Sequence, residues 1–97
     1  MGPETDLVEF RLYVAGDAPN SVQALANLRD LCANFLADRH AIEVVDVFIH
    51  PHRALRDGIF MTPTLVRVAP LPQRKVVGTL TDRDTVLQVM GIARVTQ

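Results

Sequence analysis

The first stretch of the chain alternates apolar and polar residues with a period of two, the spacing of a strand with one buried side. Over residues 7–15, the apolar side consists of Val8, Phe10, Leu12 and Val14. The opposite side consists of Glu9, Arg11 and Tyr13. The pattern therefore predicts a half-buried strand. Turn-forming residues 16–21 end it, and Asn20 or Ser21 is placed to cap a following helix.

Residues 22–37 change to the three-and-four spacing of a helix with one apolar stripe. That stripe consists of Val22, Leu25, Leu28, Leu31, Cys32, Phe35 and Leu36. The next run, residues 42–49, is mostly apolar and β-branched, so it predicts a central strand buried on both faces. A strand, a helix and a strand in this order favour a right-handed unit with two parallel strands.

The second half of the chain has a weaker pattern. Residues 52–60 fit either a short helix or an irregular segment. Pro63 restricts Thr62 to an extended conformation, so a strand is expected over residues 64–68. After two further prolines, residues 74–78 predict the returning strand of a hairpin.

The last segment, residues 81–92, favours a helix with Thr81 or Asp82 as its cap. The apolar stripe of this helix would consist of Val86, Val89, Met90 and Ile92. Residues 85–90 are also rich in β-branched and apolar side chains, so a buried strand is the alternative. The predicted order βαβαββα is an α/β fold of the thioredoxin-like class, with two parallel strands followed by an antiparallel hairpin.

Composition limits what such a fold would do. The 97 residues suffice for one domain, so a single domain over residues 1–97 is expected, with residues 1–6 as a flexible N-terminus. A formal net charge of -1 provides no electrostatic footprint for nucleic acid. The chain begins without the features of a signal peptide, and no stretch approaches the roughly 20 apolar residues of a membrane span. We therefore expect a cytoplasmic protein.

The sequence lacks the chemistry of a redox thioredoxin. In this topology, redox members place a cysteine pair after the first strand, where the helix dipole lowers the thiol pKa. Residues 16–21 contain no cysteine, and the single cysteine, Cys32, falls on the apolar helix stripe, where a buried structural thiol is expected. The three histidines have no nearby acidic or cysteine partner that would complete a metal site. We therefore expect no catalytic, cofactor or metal site.

Several ordered blocks resemble one known family. They are LYVAG at residues 12–16, PNSV at 19–22, VDV at 45–47, TPTL at 62–65 and PLP at 70–72. Over about residues 10–87, the chain is similar to the KaiB family of bacterial clock proteins. The resemblance implies a protein without enzymatic activity or cofactor that binds the ATPase KaiC, sequesters KaiA and displaces the kinase SasA. It also implies self-association into dimers or tetramers, and a fold switch between the thioredoxin-like form and a βαββααβ ground state.

The resemblance also implies candidate site residues. Basic positions of the family match Arg67, Arg74 and Lys75, which we expect to contact an acidic partner surface. Pro63 stands where thioredoxin-like proteins hold a cis proline, and the candidates for cis bonds and fold-switch positions are Pro63, Pro70 and Pro72.

The chain also departs from the family pattern at Gln23, at Thr79 and at residues 49–50. These departures indicate a divergent homologue that serves a KaiC-like partner in circadian or related signalling. A thioredoxin-fold redox protein, or a stress-signalling adaptor without a clock role, is the alternative.

Overall fold

The computed structural model describes residues 7–91, so Ile92 and the expected flexible N-terminus, residues 1–6, lie outside the described residues. Seven elements follow one another: β1 (Val8–Val14), α1 (Pro19–Phe35), β2 (His40–Asp46), α2 (Pro51–Arg56), β3 (Thr64–Ala69), β4 (Arg74–Val77) and α3 (Arg83–Met90). This order confirms the predicted βαβαββα arrangement. Residues 52–60 contain a short helix, and residues 85–90 are helical.

β1 lies inside a four-stranded sheet with the order β2-β1-β3-β4. It pairs with β2 in parallel and with β3 antiparallel, and β3 and β4 form the predicted hairpin. The prediction that β2 is the central strand is wrong, because β2 lies at the edge of the sheet. Its apolar residues are divided accordingly: Val45 is buried, whereas Val44 is exposed. The half-buried prediction for β1 is confirmed on its apolar side and at the exposed Glu9, but not at Tyr13, which is fully buried.

One face of the sheet is covered by α1 and α3 and holds the larger core. The four apolar residues predicted on β1 all belong to it, together with Ala24, Leu28, Leu31 and Cys32 of α1. Val22 and Phe35, both predicted on the buried stripe, are exposed. Val22 is rotated by about 100° from the buried Ser21 around the helix axis, and Phe35 is the last residue of α1.

The N-terminus of α1 is built differently from the prediction. Ala18 is the capping residue, its side chain makes no cap hydrogen bond, and Pro19 occupies the first turn. Proline suits this position because the first turn leaves its backbone N–H groups unpaired in any case. Ser21 is buried, and its Oγ accepts a hydrogen bond from the Ala15 N–H at 3.1 Å. The prediction that Asn20 or Ser21 caps the helix is therefore wrong.

α3 shows why its segment is a helix and not a strand. The Asp82 carboxylate caps the first turn by accepting from the Thr85 hydroxyl at 2.8 Å and from the Thr85 N–H at 3.4 Å. Gly91 ends the helix in the left-handed conformation, with φ of 85°, which a glycine adopts without steric cost. Between these two ends, the helix buries Val86, Leu87, Val89 and Met90.

The opposite face of the sheet is covered by α2, a helix of six residues. Its core is smaller and consists of Tyr13, Val45, Ala54, Ile59 and Val66. Because α2 is short, the segments that precede and follow it in the chain also form part of the surface of this face. None of the helices within residues 7–91 combines the length and the apolar character that a bilayer crossing requires.

Candidate functional site

The loop between β1 and α1, where a redox thioredoxin carries its cysteines, is held by hydrogen bonds to its backbone. The Asp46 carboxylate accepts from the Gly16 N–H at 3.2 Å, in addition to the Ser21 contact with Ala15. Cys32 is buried in the larger core, and desolvation raises its pKa to about 11. A thiol with that pKa is protonated at neutral pH and is not a nucleophile.

The three prolines singled out in the sequence all follow cis peptide bonds, at Thr62-Pro63, Ala69-Pro70 and Leu71-Pro72. Pro63 is buried just before β3, and its carbonyl accepts from the Gly78 N–H at 2.9 Å. Pro70 and Pro72 are exposed in the loop between β3 and β4. Their assignment as fold-switch positions stays a prediction.

Arg67, expected to contact a partner, is only 7% exposed. Its Nη1 donates to the Val89 carbonyl of α3 at 3.1 Å, and its Nη2 donates to the Pro72 carbonyl at 2.7 Å. Its Nε is buried without a hydrogen-bond partner. In this fold, Arg67 is therefore an internal connection between β3, α3 and the proline loop, which corrects its assignment to the surface.

The other two basic candidates lie on opposite faces of the sheet. Arg74 pairs with Arg67 across β3 and β4, whereas Lys75 pairs with Val66, and successive strand residues alternate between faces. The Lys75 Nζ donates to the Asp57 carbonyl at 2.6 Å, beside α2. The three predicted partner residues are thus not brought together on one surface.

A group of charged side chains fixes α2 to the sheet; we call it the α2 salt-bridge network (Arg11, Tyr13, Glu43, Arg53 and Asp57). The guanidinium of Arg53 donates to both oxygens of Glu43 at 2.8 and 3.0 Å, and the Nε of Arg11 donates to Glu43 at 2.9 Å. The Nη1 of Arg11 donates to Asp57 at 2.9 Å, and the Tyr13 hydroxyl donates to the same carboxylate. The network joins β1, β2 and α2.

The network sets the protonation of its carboxylates. Hydrogen bonds from Arg53 and Arg11 lower the pKa of Glu43 to about 2. The Tyr13 hydroxyl and then Arg11 lower the pKa of Asp57. Burial, and then the nearby Asp57, raise the pKa of Tyr13. Both carboxylates are therefore ionised at neutral pH, and Tyr13 remains a hydrogen-bond donor.

Around α2, large apolar side chains point into solvent. We call them the α2 apolar surface; between 61% and 89% of each residue is exposed, and they are Phe48, Ile49, Leu55, Phe60 and Met61. All five are large apolar residues with more than half of their surface exposed. Large exposed apolar patches mark interaction sites.

A cavity of about 200 Å³ lies within this surface, lined by Val47, Ala54, Ile59, Phe60, Met61 and Thr62. Phe60 and Met61 belong to the α2 apolar surface themselves, and two further members, Phe48 and Leu55, follow the lining residues Val47 and Ala54 directly in the chain. The cavity is open to solvent, and five of its six lining residues have apolar side chains. It has room for an apolar side chain of a partner.

This surface could not be predicted from hydropathy, because the apolar run 42–49 indicates one buried strand. β2 ends at Asp46, whose carboxylate accepts from the Phe48 N–H at 2.9 Å and thereby turns the chain. Such local bonding of an aspartate to its own backbone competes with strand pairing. In the sequence, this turn is indicated by Asp46 within the apolar run 42–49 and by Pro51 shortly after the run.

Comparisons with known proteins agree with this geometry. The family model for the KaiB domain matches residues 11–92. The chain is 46% identical over 78 residues to "Circadian clock oscillator protein KaiB" of Prochlorococcus marinus (strain MIT 9303), covering 80% of this chain and 66% of the relative. It is 41% identical over 87 residues to the protein of the same name from Trichodesmium erythraeum, covering 90% and 84%.

Two solved structures show the same fold. The N-terminal domain of Synechococcus elongatus SasA aligns with a TM-score of 0.75 at 20% identity, covering 95% of this chain and 90% of that one. Fasciola hepatica thioredoxin aligns with a TM-score of 0.72 at 11% identity, covering 93% and 85%. The mixed sheet, its helices and the loop without cysteines define a thioredoxin-like domain that lacks a redox cysteine pair. The chain belongs to the KaiB family.

Proposed function

We propose that this chain is a non-enzymatic regulatory protein that binds a KaiC-type ATPase through the α2 apolar surface, in circadian or related signalling. The observation that carries the proposal is the set of large apolar side chains exposed around one cavity. A standard protein interface buries about 800 Å² per partner. The five exposed side chains and the cavity would supply the apolar centre of one side of such an interface.

Family membership supports the choice of partner. The curated relatives carry the name of a circadian clock oscillator protein, and the SasA domain shares the fold. A SasA-like kinase with this fold would compete for the same ATPase, and a KaiA-type protein is a further partner of the assembled complex. These partners belong to the proposal, as does self-association into dimers or tetramers in the unbound state.

Binding to the KaiC-type ATPase of the source organism tests the proposal. Leu55→Asp and Phe60→Asp place a charge in the α2 apolar surface, and we expect each to weaken the complex by at least about tenfold, as for central interface residues. Val22→Asp is the matched control, because Val22 is 55% exposed on α1, which packs against the other face of the sheet. Size-exclusion chromatography with ADP and with ATP gives the measurement.

Three results would contradict the proposal: no complex of the unmodified chain with either nucleotide, equal loss with Val22→Asp, or loss of self-association alone in Leu55→Asp. The last result would assign the surface to a second copy of the chain.

A redox function is the second candidate, motivated by the thioredoxin-like fold. The buried Cys32, with its pKa raised to about 11, argues against it. We expect no turnover in an insulin-reduction assay. Turnover that disappears in Cys32→Ser would favour the redox function.

A further inference from the structure

Acidic and basic side chains around the α2 apolar surface differ in whether they have partners within the protein. The carboxylates of this face are occupied by donors within the protein. Glu43 accepts from Arg11 and Arg53, and Asp57 accepts from Tyr13 and Arg11. The remaining carboxylate, Asp46, accepts from the backbone N–H groups of residues 16 and 48. The acidic groups nearest to α2 therefore point inward or are neutralised.

The guanidinium of Arg56, on the outside of α2, is not occupied in this way, although its charge helps to lower the pKa of Asp57. Arg56, His50 and His52 are exposed, and their side chains make no hydrogen bond or ion pair with any residue in 7–91. His52 and Arg56 are four residues apart in one short helical segment, so they are neighbours on its surface. Arg56 follows Leu55 directly, and His50 follows Ile49. The rim on the α2 side of the apolar surface therefore carries the positive charge of Arg56, with two histidines beside it.

The opposite end of the surface has a different sign. Phe48 lies against the backbone of Gly16, where a Cβ would be 3.7 Å from the Phe48 ring, and the next residue is the exposed Asp17. The α2 apolar surface therefore has charges of opposite sign at its two ends. Arg56 lies on the α2 side, and Asp17 lies beyond Phe48. An incoming partner is oriented as well as attracted by such a distribution.

We infer that the partner of this surface presents an apolar side chain surrounded by carboxylates, with the apolar group in the cavity beside Phe60 and the carboxylates facing Arg56. This inference rests on the proposed binding function and specifies the chemistry of its partner. Charges at an interface rim act chiefly on the association rate and on its dependence on salt. The charge of Arg56 therefore selects and steers an acidic partner, while the apolar centre supplies the affinity.

Two synthetic peptides test this chemistry without the ATPase. Ac-EEFLFEE-NH2 and Ac-KKFLFKK-NH2 share an apolar centre and differ only in the sign of the flanks. In titrations followed by 15N–1H NMR at low salt, we expect the acidic peptide to shift the amide signals of residues 48–61 and to bind at least about fivefold more tightly. At 0.5 M NaCl the preference should fall to less than about twofold, because salt screens exposed charges.

Arg56→Glu should abolish or reverse the preference for the acidic peptide. Arg29→Glu is the matched control: it changes the net charge by the same amount at an exposed position of α1, so the preference should persist. Equal binding of both peptides, no shift with either at 5 mM, or shifts confined to residues outside 48–61 would overturn the inference. If the peptides discriminate as expected but the KaiC-type ATPase does not bind, the proposed partner is wrong and the surface chemistry stands.

Discussion

The two faces of the sheet are built for different purposes. The face under α1 and α3 is closed by two helices over a large apolar core, whereas the face under α2 has a small core and a ring of ion pairs around it. The first face gains its stability from burial. The second leaves large apolar residues in solvent and fixes their supporting helix with charge. Stability and the proposed binding are thus assigned to opposite sides of one sheet.

Truncation of one buried residue on each face gives the sharpest test of this comparison. Leu28→Ala in the larger core should lower the free energy of unfolding by about 3–4 kcal/mol, and Ile59→Ala in the small core by about 2 kcal/mol or less. The difference arises because Leu28 is fully enclosed, whereas Ile59 borders the open cavity. Urea unfolding followed by circular dichroism measures both values. Equal losses would show that the small core is as well packed as the large one.

Arg67→Met should have the next largest effect, about 1–3 kcal/mol, because it leaves the Val89 and Pro72 carbonyls without a donor. Methionine keeps much of the side-chain volume, so the loss reports on the hydrogen bonds. NMR secondary shifts should show reduced helicity in residues 83–90. Arg74→Met, on the exposed neighbour across the hairpin, should change stability by less than about 0.5 kcal/mol. Similar effects of both variants would contradict an internal role for Arg67.

The smallest expected effect is on the α2 face, in the way the free energy of unfolding falls as the pH is lowered (the acid limb). The pKa of Glu43 is lowered from 4.5 to about 2, so its contribution is fully present above pH 4.5 and is lost as the pH falls toward 2. Because the Glu43 side chain is 49% exposed, solvent screening limits this contribution to less than about 1 kcal/mol. Glu43→Gln should therefore lower stability slightly at pH 7 and flatten the change between pH 4.5 and 2.

The control for this experiment is Glu9→Gln, on the exposed start of β1. It should leave both the stability at pH 7 and the slope of the acid limb unchanged. An acid limb in Glu43→Gln identical to that of the unmodified chain would show that the ion pairs of Glu43 contribute nothing to stability.

The order of elements could be predicted because it follows from local periodicity. The alternation over β1, the helical spacing over α1 and the proline before β3 each depend on residues close together in the chain. The position of β2 could not be predicted in the same way. The apolar residues of the run 42–49 contribute to the larger core, to the small core and to the α2 apolar surface in turn, and hydropathy does not separate these three environments.

The candidate site was predicted less well, again for a physical reason. Arg67 is charged, and charged residues are rarely buried; its burial depends on two carbonyls, one of them 22 positions away in α3. Phe48 and Ile49 are apolar, and their exposure depends on a turn that Asp46 forms. The lack of a redox cysteine pair, by contrast, required no geometry and could be established from residue types alone.

The end of α3 has a consequence for how this chain tolerates sequence change. A Cβ at Gly91 would lie 3.2 Å from the Nη1 of Arg67, and the backbone there has a φ that side chains rarely adopt. Substitutions at these two positions are therefore not independent, and the effect of one depends on what occupies the other. A lineage that replaces Arg67 with a shorter residue removes the steric part of the restriction at Gly91 and keeps the conformational part. We expect the residues at positions 67 and 91 to change together when homologous sequences are compared.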